Sequence, residues 1–590
     1  MNDRLEKLRD YMRRVNVDAV VIPGTDPHQS EYVSDHYKFR DWLTGFTGSN
    51  GTAVVTLDKA ALLTDSRYFL QAAEELADSG FDLVREGDYG DPSLLQWLND
   101  NLDEDDVLAL DGRLFTINEV NRYDRFCGER GIMLATDFAP ADYIWADRPP
   151  RPAALITIHD EKFAGESLDS KVNRVMDAVE EMGATSMLIT ALDDIAWLYN
   201  LRGEDVLYTP VVLAYAFISR NERSLFVDPG KITPDVKDYL KSNGVQVREY
   251  DDIIRYLERK RDTEQVLLDP DRVSDALVQA LPSGKIWAAS PVAALKAVKN
   301  AVQQDGFRRA HERDAVAMVK LMRWLEQAVP SGNITEVDIA EKAAELRREV
   351  SGDLYRGESF ALIAGYNEHG AIVHYEATPE TAATLRPEGL LLIDTGGQYP
   401  DGTTDLTRTI ALGEPTDEQR RHYTLVLKGH LALMGARFPE GTTGVQLDAL
   451  ARMPLWQQSL NYGHGTGHGV GQYLGCHEGP QSIRTNLNPT PLQVGMVVSD
   501  EPGLYLAGRY GIRIENLLLV VEGDKSDEFG TFLRFEPLTL LPYDKRLIDE
   551  TMLTAAERDQ LAAYNRLVAD RLLPLLDADD AAWLRNKLNR

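Results

Sequence analysis

Two aspartates, Asp394 and Asp405, bracket the stretch DTGGQYPDGTTD, and two glutamates, Glu501 and Glu515, stand in EPGLYLAGRYGIRIE. Between these pairs lies NYGHGTGHGVGQYLGCHEGP (461–480), with His464, His468 and His477 set among glycines. Glycine-rich loops often cradle phosphates. A dinucleotide fingerprint, however, needs Gly-x-Gly-x-x-Gly opening a helix, and Gly465, Gly467 and Gly469 lack that spacing; no Gly-Lys-Ser/Thr occurs there either. Carboxylates and imidazoles together point to metal instead. Four carboxylates and one imidazole form a hard, oxygen-rich set that suits Mn²⁺, Co²⁺ or Zn²⁺ in a paired site better than a lone structural zinc. Four carboxylates balance two divalent ions, and a hydroxide bridging metals about 3.5–4 Å apart would be the nucleophile of a hydrolysis. Spacing alone does not say which histidine joins them.

The elements around these residues are legible from their periodicity. Asp394 ends the apolar run GLLLI, Gly396 to Gly402 reads as a loop, and TTDLTRTIAL resumes as an alternating strand. Asp405, Thr407 and Thr409 then share one face, with Leu406, Arg408 and Ile410 on the other. In a hairpin Asp394 and Asp405 would face each other at about 4.5–5.5 Å between Cβ atoms, and like charges that close need neutralising. Solvated turn residues are the bland alternative for this pair, and Asp401 reads as one. Glu501 follows the apolar VGMVVSD and precedes a Pro-Gly turn. Glu515 shares a strand face with Arg513, a pattern that would also fit a surface ion pair. Four carboxylates entering one interior from strands would be untenable without cations. His374, in GAIVHYE, is expected at the end of another short apolar strand, where a lone histidine is more often a satisfied core residue.

The bulk properties narrow the class. A chain of 590 residues is too long for one core. With 43% hydrophobic and 27% charged residues it has an ordinary globular composition. A formal charge of −31 argues against nucleic acid and against anionic membranes as partners. Cys127 and Cys476 are the only cysteines, so disulfide stapling is excluded and a reducing compartment is expected. The start, MNDRLEKLRDYMRR, shows no secretory signal and no 18-residue apolar run occurs, so the chain is expected to be cytoplasmic.

Up to about residue 145 helical and strand patterns alternate: LEKLRDYMRR, DAVVIPG, GTAVVTL, AALLTD, then YFLQAAEELADSG. DRPPRPA (147–153) reads as a linker. A second α/β segment with strands SMLIT, VVLAYAFIS and RSLFVD echoes the first. From about residue 300 long amphipathic helices begin, with Ala315, Met318, Val319, Met322 and Leu325 on one stripe. Near the end, Thr554 and Glu557 form a capping box opening a helix with Leu561, Tyr564, Val568 and Leu572 on one face.

The motifs DTGGQYPDGTTDLTRT, HGTGHGVG, HEGP, SDEPG and GIRIEN, in this order, resemble the pita-bread metallopeptidases. Specifically they resemble the three-domain cytosolic type of Xaa-Pro aminopeptidase (aminopeptidase P). PHQSEY, GFTGS and TDSRYFLQAA resemble its N-terminal domain, and FEPLTLLP with the helical tail its C-terminal end. The fold class implied is α/β (α+β): two creatinase-like N-terminal α/β domains (1–146 and 147–300), a pita-bread catalytic domain (301–545) and a helical extension (546–590).

The resemblance also implies roles. Asp394 would bind one metal, Asp405 and Glu515 would bridge two, and His468 and Glu501 would complete the other. Glu501 would also shuttle the proton between nucleophile and leaving amine. His374, His464 and His477 would line the pocket and stabilise the tetrahedral intermediate. Tyr505 and Arg513 would lie on the substrate side. The ions would be two divalent metals, Mn²⁺ first, with Co²⁺ or Zn²⁺ as alternatives. The reaction implied is release of the first residue from peptides with proline second, by a cytoplasmic homodimer. The alternatives are a dipeptidase restricted to Xaa-Pro (prolidase) and a non-enzymatic binding module on the same fold. The sequence departs from the family at Asn367, Glu368, His369 and Gly370, where Pro-Asn-Gly-Ala is usual, at Thr395, and at Asp500.

Overall fold

The computed structural model describes residues 3–88, 90–261 and 263–589. The chain divides into two compact units, Met1–Asp160 with Glu166–Leu295, and Glu161–Gly165 with Lys296–Arg590.

The first unit contains two six-stranded sheets. One has the spatial order Asp82–Arg85, Ala60–Thr64, Thr52–Thr56, Ala19–Ile22, Val107–Ala109, Met133–Ala135. The other runs Gln246–Arg248, Glu222–Phe226, Tyr215–Ser219, Ser186–Ile189, Val266–Leu268, Lys285–Trp287. In both, the first strand in the chain lies third from one edge of the sheet, antiparallel to the next strand and parallel to the fifth. The outer pairings match as well: antiparallel then parallel on one side, parallel on the other. The two segments that echo each other in sequence therefore share one topology. Their central strands, such as AVVI (Ala19–Ile22) and SMLI (Ser186–Ile189), are buried on both faces, which is why they read as continuous apolar runs rather than alternations. The proline-rich stretch 148–156 has no helix or strand.

The second unit opens with the helix Ala301–Ala328, started by a capping box between Asn300 and Gln303. Its stripe of Ala315, Met318, Val319, Met322 and Leu325 is buried, each large side chain contributing about 1.5–3 kcal/mol. The helix Glu336–Ser351 packs beside it, and Asp417–Met434 and Gly444–Trp456 form another pair. These helices cover a three-stranded antiparallel sheet (Ile363–Tyr366, Leu390–Thr395, Leu406–Ala411) and a four-stranded one (Arg437–Pro439, Gly530–Pro537, Asn516–Ser526, Val497–Asp500) in a common core. Short ribbons complete it: Gln398–Tyr399 with Gly402–Thr403, Gly467–His468 with Ser482–Ile483, and Gly503–Leu506 with Tyr510–Arg513. The capping box of Thr554 with Glu557 opens Ala555–Leu572, whose Tyr564, Val568 and Leu572 are buried while Leu561 packs at the core margin. Among the described residues no helix is long and apolar enough to cross a membrane.

Candidate metal centre

The hairpin carrying Asp394 and Asp405 forms, but with a different register from the expected one. Asp394 pairs with Thr407 and Thr395 with Leu406, so Asp405 directly precedes the strand and sits diagonally from Asp394 on the same face. The cause is the tighter turn: Gln398–Tyr399 and Gly402–Thr403 pair, leaving Pro400 and Asp401 as the turn itself. Asp401 is a turn residue yet only 3% exposed, ion-paired to Arg313 and lying 3.7 Å from Arg309. His374 also departs from expectation. The strand ends at Tyr366, a 3₁₀ turn covers Asn367–Ala371, and His374 lies in the turn that follows.

Glu515 occupies the break between the strands Tyr510–Arg513 and Asn516–Ser526, where its N–H donates to Thr407 O at 3.1 Å. It is 1% exposed, which rules out the surface pair with Arg513. Arg513 instead donates to Asp394 Oδ2 (2.6 Å), Tyr505 Oη (2.8 Å) and Val373 O (3.3 Å). Glu501 follows the strand Val497–Asp500 and anchors its N–H on Thr466 O at 2.8 Å.

The 461–480 wall separates its histidines. His468 Nδ1 lies 2.9 Å from Gly469 O, and because a carbonyl only accepts, Nδ1 carries the proton. Nε2 is therefore the lone-pair nitrogen, and it lies 3.5 Å from both Asp405 Oδ2 and Glu501 Oε1. Asp405, His468 and Glu515 each offer one ligand atom within 4.8 Å of the others. The His477 ring stands edge-on to His468 with centroids 4.4 Å apart. His464 points elsewhere. Its Nδ1–H donates to Gly465 O (2.7 Å), and its Nε2 lies 2.7 Å from Tyr505 Oη, giving a relay Arg513 to Tyr505 to His464. The strand can pass this close only without side chains: a Cβ on Gly467 would lie 2.0 Å from Ser499 O, and one on Gly469 2.0 Å from Glu478 O.

Three groups in the site escaped the sequence reading. Thr407 Oγ1 donates to Glu515 Oε2 at 2.7 Å and accepts from Arg513 Nε at 3.2 Å. Ser499 Oγ accepts from the His468 N–H at 2.9 Å and lies 3.4 Å from Glu501 Oε1. The buried Cys476 thiol donates to Asp405 Oδ2 at 3.3 Å. The strand alternation that placed Asp405 and Thr407 on one face already contained the signal for Thr407.

The electrostatics are those of a site short of positive charge. Burial raises the Asp394 carboxyl to about 6, with Asp405 adding to the rise and Arg513 opposing it. Burial raises Glu501 to about 7 and Glu515 well above the ordinary range. Asp405 goes the other way: burial pushes it up, but the hydrogen bond and charge of His468, with His477 and Cys476, hold it below its ordinary value. Asp394 Oδ1, Asp405 Oδ1 and Glu515 Oε1 are buried with no hydrogen-bond donor. Buried carboxylate oxygens without donors are costly, and the donor set fits divalent cations.

Four family models match in chain order. Creatinase/Prolidase N-terminal domains match residues 4–140 and 147–303, metallopeptidase family M24 matches 305–522, and the C-terminal region of peptidase M24 matches 531–590. Aminopeptidase P2 of Arabidopsis thaliana is 40% identical, covering 99% of this chain and 88% of that protein. A probable Xaa-Pro aminopeptidase P of Laccaria bicolor is 39% identical over 99% of this chain and 93% of its own length. The crystal structure of X-prolyl aminopeptidase from Caenorhabditis elegans, a cytosolic enzyme with a di-nuclear active site, superposes with a TM-score of 0.96 at 32% identity, covering 99% of both chains. The fold is thus that of two creatinase-like domains with a pita-bread catalytic domain, and the chain belongs to the aminopeptidase P (Xaa-Pro aminopeptidase) group of metallopeptidase family M24.

Proposed function

We propose that this chain is a metal-dependent Xaa-Pro aminopeptidase, releasing the first residue of peptides whose second residue is proline. The observation that carries this reading is the convergence of Asp405, His468 and Glu515 around buried carboxylate oxygens that have no donor. Asp394, Asp405, His468, Glu501 and Glu515 would hold two divalent ions, Mn²⁺ before Co²⁺ or Zn²⁺. When bound, such a pair supplies the positive charge and Lewis acidity that make water nucleophilic at neutral pH.

The chain's own residues do the rest. Glu501, whose Oε1 lies 3.5 Å from His468 Nε2, would carry the proton toward the leaving amine, a role that needs a carboxylate beside the nucleophile. Thr407 and Ser499 orient Glu515 and Glu501. His374, His464 and His477, with Tyr505 and Arg513, would line the substrate side, Arg513 holding Tyr505 and Tyr505 holding His464. The Xaa-Pro bond is a tertiary amide without an N–H, so recognition has to come from the ring and the flanking groups.

The same reading includes a cytoplasmic location, a homodimer and the four-part division at residues 146, 300 and 545. The likeness to the cytosolic C. elegans enzyme supports the location and the two matching sheets support the first division, while the homodimer rests on the family resemblance alone.

The test is a substrate panel with added Mn²⁺. Release of the first residue from an Xaa-Pro-Pro tripeptide, lost with chelator, is the expected result. Cleavage of Xaa-Pro dipeptides alone would replace this reading with a prolidase.

A further inference from the structure

Glu336 is the first residue of the helix Glu336–Ser351 and is 0% exposed. A fully buried carboxylate needs donors or a counter-charge. Glu336 gets its donors from one stretch of chain. Oε1 accepts from the Tyr366 N–H at 2.7 Å, and Oε2 accepts from the Tyr375 hydroxyl (2.9 Å) and the Ala383 N–H (2.7 Å). His369 Nδ1 lies 2.9 Å from both oxygens, and the helix N-terminus adds its own positive end. His369 is where the sequence departs from the family's usual residues, and its ring also lies 4.5 Å from that of Tyr375.

These donors bracket His374, and the residues on either side of it are tied to different partners. Val373 O accepts from Arg513 Nη2 at 3.3 Å, and that guanidinium holds Asp394 Oδ2 at 2.6 Å. Tyr375, on the other side, is tied to Glu336 through its hydroxyl. A turn residue fixed at both neighbours has little freedom to swing its side chain.

We propose that Glu336, acting mainly through Tyr375 and supported by His369, is a positioning residue that fixes His374 relative to the Arg513–Asp394 pair. The inference rests on the reading above that His374 faces substrate. Glu336 itself takes no part in the chemistry; it sets the geometry of a group that does. Misplacement by about 1 Å is enough to cost a large factor in rate.

The test uses the full chain with Mn²⁺ and an Xaa-Pro-Pro tripeptide. Tyr375→Phe keeps the ring and removes one hydroxyl, and it should lower kcat on the order of tenfold with KM and bound Mn²⁺ little changed. Measured on the residual rate of His374→Ala, the same substitution should have no further effect. Equal fold-losses in both backgrounds would overturn the proposal, because the loss would then not run through His374. Amide exchange provides a readout independent of activity. Glu336→Gln and Tyr375→Phe should speed exchange in the segment 366–383 and leave the 461–480 wall unchanged; unchanged exchange in 366–383 would equally overturn it. A wild-type chain that cleaves no tripeptide would defeat the functional reading, while the exchange data would still decide whether Glu336 holds the turn.

Discussion

Thr407 Oγ1 donates to Glu515 Oε2 at 2.7 Å, tying the strand that pairs with that of Asp394 to the segment between Tyr510–Arg513 and Asn516–Ser526. One hydroxyl thus fixes the rotamer of a carboxylate that would bridge two ions. Thr407→Val keeps the shape and removes the donor. It should weaken Mn²⁺ affinity by about 10–100-fold, the usual cost of losing a hydrogen bond to a metal ligand, with the fold intact. Titration calorimetry of the two proteins checks this; equal affinities would remove Thr407 from the account.

Arg513 and Asp394 form a pair in which the guanidinium is 2% and the carboxylate 11% exposed. Removing one partner strands the other. Arg513→Met should destabilise the metal-free protein by about 3–5 kcal/mol, and Mn²⁺ should restore more melting temperature to the variant than to the wild type. Thermal melts with and without Mn²⁺ read both effects.

Gly467 has no room for a side chain, since a Cβ there would meet Ser499 O at 2.0 Å. Gly467→Ala must push the ribbon that carries His468 away from the strand Val497–Asp500 that leads into Glu501. A cost of roughly 1–3 kcal/mol in stability and a loss of Mn²⁺ binding are expected. Calorimetric melting together with metal titration would detect either.

His28, in the first unit, is buried with Nδ1 donating to Thr190 O at 2.9 Å and Nε2 lying 2.7 Å from Tyr250 Oη. Burial lowers it from the ordinary 6.5; Asp26 and the Thr190 carbonyl oppose the shift, and Lys231 adds to it. A histidine with a lowered folded value binds fewer protons folded than unfolded once the pH drops below about 6.5, so stability falls with falling pH there. The slope is at most about 1.4 kcal/mol per pH unit for this group. Melting curves between about pH 7.5 and 5 should therefore fall more steeply for wild type than for His28→Gln. Parallel curves would contradict the assignment.

Much of this was legible in the sequence, and the exceptions have physical causes. Apolar periodicity located the buried stripe of Ala301–Ala328 and the capping box at Thr554, because both are local signals. The strands of the first unit were legible too, but their shared order in two sheets depends on pairings between distant segments. The carboxylate hairpin is legible in the sequence, but its register is not. Turn chemistry allowed a loop from Gly396 to Gly402, while the chain uses only Pro400 and Asp401 and shifts Asp405 to the diagonal. The apolar GAIV predicts a strand at His374, but Glu336 overrides that propensity by taking the hydrogen bonds of the surrounding segment. Arg513 and Glu515 share a face as a surface pair would, and only tertiary structure shows that both are buried, Arg513 on Asp394 and Glu515 on Thr407.

The central claim is that Asp394, Asp405, His468, Glu501 and Glu515 form a paired-metal hydrolytic site. Its most direct test is the rate of first-residue release from Xaa-Pro-Pro, measured against added Mn²⁺ for the wild type and Asp405→Asn. The account predicts that wild-type activity rises to a plateau as two equivalents bind, and that Asp405→Asn stays inactive at any Mn²⁺ level with the fold retained. Full activity in Asp405→Asn, or in wild-type protein stripped by chelator, would contradict it.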